Sequence, residues 1–258
     1  MPPEEFVKRR PGAPGAAPAV EAAGLRWLAA AGGVRVCGVR AVLPDALVLD
    51  RVEVVPATAD AAERFGRDLA RTHAAGADGH GAAPPGVEGD GWIGDAPLPL
   101  GTTPGPWGPW FAAQRVAPYL RAARDSGAVD AAGARTVEAV CERLTAGDEA
   151  LVAGGEQPAR LHGDLWAGNV LFSAAGAVLV DPAAHGGHPE TDLAMLELFG
   201  LPHLDVVLAA YTEAAGTPPG RAARVPVHQL HPLLVHAVLF GGGYGARAVA
   251  AARAGLAL

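Results

Sequence analysis

The chain has 258 residues, half of them hydrophobic and 18% charged, which allows one large domain or two modest ones and is too apolar for wholesale disorder. Its formal charge of −7, with no run of Lys or Arg, argues against a nucleic-acid partner or an anionic membrane surface, and two distant cysteines, Cys37 and Cys141, exclude a disulfide framework or a cysteine-built zinc site. No apolar stretch reaches membrane-spanning length and the acidic start Met1-Pro2-Pro3-Glu4-Glu5 has no signal-peptide segment, so a soluble, cytoplasmic protein is expected.

In chain order, Glu5-Phe6-Val7-Lys8 reads as a short strand closed by the Pro/Gly/Ala stretch 11–18. From Pro18, the apolar residues Val20, Ala23, Trp27 and Leu28 follow helical spacing until Gly32-Gly33. Residues 34–42 and 46–55 are apolar and β-branched and predict two strands about a Pro44-Asp45 turn, the second stopped by Pro56. Thr58 is placed to cap a helix with Phe65, Leu69, Thr72 and His73 on one face. Residues 76–109 read as a Gly/Pro-rich loop, too long for an idle connection. Helical spacing returns at Trp110/Phe111/Val116/Leu120, at Val137/Val140/Cys141/Leu144, at Leu204/Val207/Leu208/Tyr211 and over about 228–257, where Gly241-Gly242-Gly243 interrupts it. Two short apolar runs, 169–172 and 177–181, flank Ser173-Ala174-Ala175-Gly176 and predict a hairpin. The layout is α+β, with a small β-rich N-terminal part over residues 1–55 and a larger, mainly helical part over 56–258.

The densest polar signal is His162-Gly163-Asp164-Leu165-Trp166-Ala167-Gly168-Asn169, followed by Asp181-Pro182-Ala183. Folding the hairpin about its turn brings Asn169 opposite Asp181 to within one residue of register, with Asp164 at the same end. Two carboxylates and an amide oxygen then converge at one hairpin mouth, a donor set suited to Mg²⁺ with a carboxylate to spare for a hydroxyl nucleophile. Asp-x-x-x-x-Asn followed by a strand-borne Asp is the catalytic spacing of protein-kinase-like phosphotransferases. The plainer reading is a loop fixed by Asx turns. Such a site also needs a cation for the ATP phosphates and an acid to hold it. Lys8 ends the first strand and Glu21 lies early in the next helix. The composition sharpens that pairing: the chain holds one lysine, Lys8, and one asparagine, Asn169, in a background rich in Ala, Gly, Arg and Val.

At these residues the sequence resembles the fructosamine (ketosamine) kinases of the aminoglycoside-phosphotransferase and protein-kinase-like superfamily. The shared stretches are HGDLWAGN at 162–169, DPA at 181–183, GHPETDLAM at 187–195 and FG at 199–200. Weaker likenesses, VK at 7–8, EAAGL at 21–25, LARTH at 69–73, WIG at 92–94, WFAAQR at 110–115 and LFGGGY at 239–244, extend it over nearly the whole chain. The resemblance implies a two-lobed protein-kinase-like fold that uses ATP and Mg²⁺. In it Asp164 would be the catalytic base, Asn169 and Asp181 the metal ligands, Lys8 and Glu21 the phosphate-binding ion pair, and Asp192 a buried brace for the catalytic loop. The Leu47–Val54 strand would be the hinge, with Asp50 and Val52 meeting adenine. Trp166, His188, Glu190, Trp110 and Tyr244 are candidates to line the acceptor pocket, while His73, His231 and His236 read as packed histidines. The implied reaction is phosphorylation of the 3-hydroxyl of a free or protein-linked fructosamine or ribulosamine, leading to deglycation.

Two departures shape the alternatives. Kinase-like folds place two strands and a glycine-bearing turn ahead of the Lys strand, whereas seven residues precede Lys8 here, so an incomplete phosphate roof and an exposed sheet edge are expected. A monomer is expected, with a dimer through that edge as the variant. The family's Gln and Asn after the Ile-Gly turn are replaced around Leu98-Pro99-Leu100, which leaves the acceptor open. The competing readings are a catalytically impaired pseudokinase or scaffold, and an aminoglycoside or amino-sugar phosphotransferase.

Overall fold

The computed structural model describes residues 4–9 and 15–258. Met1–Pro3 and residues 10–14 lie outside the described residues, and with them the first part of the 11–18 stretch expected to close the first strand.

Strand β1 (Glu5–Arg9) pairs antiparallel with β4 (Ala46–Asp50), and β3 (Val39–Leu43) flanks β4 on its other side. Four of the five residues of β4 are buried, as suits a central strand, while β1 is an edge strand whose Phe6 and Val7 are exposed. Helix α1 (Ala17–Ala29) turns Ala22, Leu25 and Leu28 inward, and Leu25 clusters with Leu47 and Leu49 of β4. The predicted strand over 34–42 is divided. Its first piece, β2 (Arg35–Val36), leaves the small sheet and pairs in parallel with β9 (Gly176–Leu179), next to β8 (Val170–Ser173). The division falls at Gly38, where a Cβ would run into the Asp50 side chain. The second predicted strand ends early: residues 51–57 carry no strand and lead into the next helix, with the Val55 amide bonded to the Phe172 carbonyl at 2.8 Å.

In α2 (Ala59–Ala74) the Thr58 hydroxyl accepts from the Ala61 amide, and Phe65, Leu69, Thr72 and His73 are buried on one face, as the spacing predicts. The loop at 76–109 is less irregular than its composition suggests. It holds a short hairpin, β5 (Gly91–Ile93) with β6 (Ala96–Leu98), which sends Ile93, Ala96 and Leu98 into the main helical core. Helices α3 (Trp107–Phe111) and α4 (Ala117–Asp125) are joined by a π-helical turn at 112–116. Pro118 supplies no N–H to the Gln114 carbonyl, and Arg115 donates to that carbonyl instead, at 3.2 Å. The helical part continues with α5 (Ala131–Thr145), α6 (Glu149–Val152), α7 (Pro189–Phe199), α8 (Leu204–Ala215), α9 (Arg221–Phe240) and α10 (Tyr244–Leu256); β7 (Ala159–Leu161) pairs with β10 (His185–Gly187) ahead of α7. Helix α9 starts seven residues before the predicted region and runs through Pro226 and Pro232. No helix among the described residues is long and apolar enough to cross a membrane.

One buried ion pair stabilises the join between α7 and α9. Arg224 donates two hydrogen bonds to Glu190, at 2.6 and 3.0 Å, with both side chains almost wholly buried. Burial opposes charge on Glu190, but His228 and Arg224 outweigh it and hold its carboxyl down at about 2. Replacing Glu190 with Gln removes one charge and strands the other in the core, so a loss of about 3–5 kcal/mol is expected in urea unfolding. A loss under about 1 kcal/mol would show that water reaches Arg224.

Candidate active site

The β8–β9 hairpin has Val170 opposite Leu179 and Phe172 opposite Ala177, so Asn169 faces Val180, one residue from Asp181. At its mouth the Asn169 side-chain amide donates to the Asp164 carbonyl at 2.8 Å and to the Asp164 carboxylate at 3.0 Å. Those bonds fix the amide so that its oxygen is turned away from Asp164. Asp181 follows in the left-handed region, φ 53°, an uncommon conformation that Asp tolerates better than most residues.

Lys8 approaches from β1. Its ammonium donates to both oxygens of Glu21, at 2.8 and 2.9 Å, and to Asp181 at 2.6 Å. Three residues separated by up to 173 positions thereby meet at one point. Glu21 and Asn169 are buried, whereas Asp181 is half-exposed.

Beneath this mouth lies Asp192 of α7. Its buried carboxylate accepts the backbone N–H groups of His162 and Gly163, at 2.8 and 2.9 Å, and the His73 ring nitrogen at 3.1 Å. Burial alone would raise its pKa; the bonds from His73 and the loop lower it below the usual carboxylate range. Tyr211 extends the chain by a 2.8 Å hydrogen bond to the other nitrogen of His73. Gly163 (φ 82°) packs so closely on the Ala183 carbonyl that no side chain fits there. The loop bearing Asp164 is therefore held from below and from the side. Burial pushes the Asp164 carboxyl above its ordinary range, with His162 and Asn169 pulling the other way, and so makes it a better proton acceptor.

The remaining sequence-predicted residues fall in three groups. Trp166 is exposed beside the mouth and Tyr244 opens α10 near it, against His236. Asp50 and Val52 border an open cavity of about 360 Å³ with Cys37, Val55 and the 173–175 turn; the Asp50 carboxylate is already paired with Arg40 at 2.6 Å. His188, Glu190 and Trp110 do not join the mouth. His188 caps α7 and donates to the Ala153 carbonyl, Glu190 is taken by Arg224, and Trp110 is buried under Arg115. His188 and Glu190 border a separate cavity of about 780 Å³ between α2 and α8. With His228 they form a compact His/Glu/His group, but Arg224 and local hydrogen bonds engage the donors of His188 and Glu190. Sequence reading missed the Arg224 partnership; a buried arginine 34 residues away leaves no local signal.

A sequence profile of fructosamine kinase matches residues 4–257. The chain belongs to the fructosamine kinase family. Within that family it is 36% identical over 225 residues to a Thermus thermophilus protein and 35% identical over 230 residues to one from Synechocystis, both named as ketoamine kinases, covering 87% of this chain and 77% and 73% of theirs. Against a Klebsiella aerogenes ketoamine kinase the match is 36% over 149 residues, so the chain aligns with about half (49%) of that relative. A crystal structure named for fructosamine-3-kinase, from Thermobifida fusca, superposes with a TM-score of 0.90 at 47% identity, covering 98% of this chain and 86% of the other. A macrolide 2'-phosphotransferase from Brachybacterium faecium, at 20% identity and a TM-score of 0.56 over 97% of this chain and 83% of its own, shares the fold. The fold is thus the two-lobed protein-kinase-like one, and the relatives named as ketoamine kinases are phosphotransferases by that name.

Proposed function

We propose that this chain is a ketosamine 3-kinase, transferring the γ-phosphoryl group of ATP to the 3-hydroxyl of a fructosamine or ribulosamine, free or protein-linked. The 3-phosphate adduct then breaks down with release of the amine, which makes the cellular role deglycation. The observation that carries this reading is the convergence of Lys8, Glu21 and Asp181 on one point, beside the Asp164–Asn169 pair at the same hairpin mouth.

Each side chain then has a task. Asp164 accepts the proton of the attacking hydroxyl and aims its oxygen at the phosphorus. Lys8, held by Glu21, offers its ammonium to the nucleotide phosphates. Asp192 keeps the Asp164 loop in place through its backbone. The donor set at the mouth fits a divalent cation: the Asn169 amide oxygen is turned away from Asp164, and one Asp181 oxygen is left when Lys8 takes the other. Asn169 and Asp181 would hold Mg²⁺, whose charge supports the phosphoryl oxygens during transfer. Asp50 and Val52 would meet adenine, and Trp166 and Tyr244 would border the acceptor.

The test is direct. The protein is incubated with Mg·ATP and a fructosyl amine, and the products are read by mass spectrometry. A phosphorylated ketosamine, followed by free amine, is expected; ATP and ketosamine remaining unchanged over many hours would overturn the assignment.

A further inference from the structure

An aromatic cluster stands beside the proposed mouth that the roles above do not use. Phe199 ends α7, His236 and Phe240 lie in the last turns of α9, and Tyr244 opens α10. The rings of Phe199, Tyr244 and Phe240 surround His236 at 4.8, 5.0 and 5.3 Å between centroids. Trp166, two residues beyond Asp164, meets Phe199 edge-on at 6.3 Å. A cluster of this size normally closes a core, yet Phe240 is 67% exposed and Trp166 40%. His236 was expected from sequence to be a packed core histidine. It is half-buried instead, and through Phe199 it is one ring removed from Trp166, which follows the proposed proton acceptor Asp164 by two residues.

The hydrogen bonding of His236 gives the cluster its chemistry. Nδ1 donates to the Pro232 carbonyl at 2.8 Å, so the neutral ring carries its lone pair on Nε2, which has no hydrogen-bond partner among the described residues. Around that ring stand three tilted aromatic rings, whose faces carry negative electrostatic potential. Arg247 already rests over Tyr244 at 5.6 Å, so that ring accommodates a cation and the Phe199 and Phe240 rings are left for another.

We infer that His236, with the rings of Phe199, Phe240 and Tyr244, is the subsite that reads the acceptor's amine, taking a secondary ammonium by a hydrogen bond to Nε2 and by cation–π contact. The inference rests on the ketosamine reading, in which the amine sits two carbons from the carbon bearing the reacting hydroxyl. An ammonium site must then adjoin the proton acceptor, as this cluster does through Trp166. A neutral sugar can use the hydrogen bond alone, so the subsite separates glycated amines from free ketoses.

Titration calorimetry in the presence of Mg·ADP tests this without turnover, using an N-alkyl fructosamine and fructose as probes. The wild type is expected to bind the amine probe at least about tenfold more tightly than fructose. His236→Phe keeps the aromatic shelf and removes the acceptor, and Phe240→Ala removes one ring face from an exposed position. Each is expected to cut the amine preference several-fold; fructose affinity stays unchanged in Phe240→Ala and falls less than that of the amine probe in His236→Phe, since the sugar loses only the neutral hydrogen bond. Equal affinity of the wild type for the two probes, or a preference unmoved by both variants, overturns the inference. If His236→Phe does not fold, Phe240→Ala decides alone. Amine preference without phosphoryl transfer would sink the proposed activity and leave the subsite standing; transfer to both probes with no preference would do the reverse.

Discussion

Replacing Asp164 with Asn is expected to lower the rate of phosphoryl transfer by about 10²–10⁴-fold while nucleotide binding stays near that of the wild type. That range corresponds to about 3–5 kcal/mol of barrier. The variant is nearly isosteric, and its amide oxygen can still accept the 3.0 Å bond from Asn169, so the loop has no reason to move. What disappears is the capacity to take a proton. The Lys8 ammonium, proposed to meet the phosphates, is bonded to Glu21 and Asp181 rather than to Asp164. Single-turnover transfer to a fructosyl amine and thermal shift with Mg·ATP separate the two effects, because a ligand that binds the folded state raises its stability by mass action. Transfer surviving at more than about a tenth of the wild-type rate would remove Asp164 from the chemistry. In the wild type, burial raises the Asp164 carboxyl, so the acid limb of the rate profile should lie above the ordinary aspartate value of about 3.9.

The second large effect is on stability. His185, His188, His228 and His231 are buried, and burial is the leading cause that lowers each of them: His185 to about 3, His188 and His231 well below the usual value, and His228 in the same direction. In the unfolded chain the same rings take up protons near pH 6.5. Below that pH the unfolded state binds more protons than the folded one, and stability falls as pH falls. The slope approaches about 1.4 kcal/mol per pH unit for each ring only below pH 6.5, so each loses about 1.4 kcal/mol over the whole interval from pH 7.5 to 5.5, and the four together lose on the order of 5 kcal/mol. That is a large part of the stability of a typical domain. The depressed carboxylates Glu190 and Asp192 work in a lower window: their contribution is present above the unfolded carboxylate range and is lost only as pH falls toward their folded values. Urea unfolding at the two pH values checks the prediction. Stability that is flat from 7.5 to 5.5 would mean the four rings are protonated in the folded protein.

Much of this arrangement is legible in the sequence because local patterns carry it. The hairpin that presents Asn169 and Asp181 follows from two apolar runs and a small-residue turn, and its register is right to one residue. The contact of Lys8 with Glu21 is legible for a different reason: a lone lysine in an arginine-rich chain marks itself. Three features are not legible. The β5–β6 hairpin is three residues a side and hidden among glycines and prolines, too short for alternation to register. Helix α9 runs through two prolines that would ordinarily break it, since packing of Val227, Leu230, Leu233 and Leu234 outweighs the lost backbone bonds. The third is Glu190. It sits two residues from Asp192 in one polar stretch, but successive positions on a helix point to different sides, and this one meets Arg224 rather than the mouth.

Strand β2 has a bearing on how the molecule moves. By composition it belongs with the first 55 residues, but its backbone is bonded to β9, the strand that leads to Asp181. Main-chain hydrogen bonds at Arg35–Cys37 therefore stitch the first 55 residues directly into the ladder that carries the proposed metal-holding loop, so a shift of one is felt in the backbone of the other.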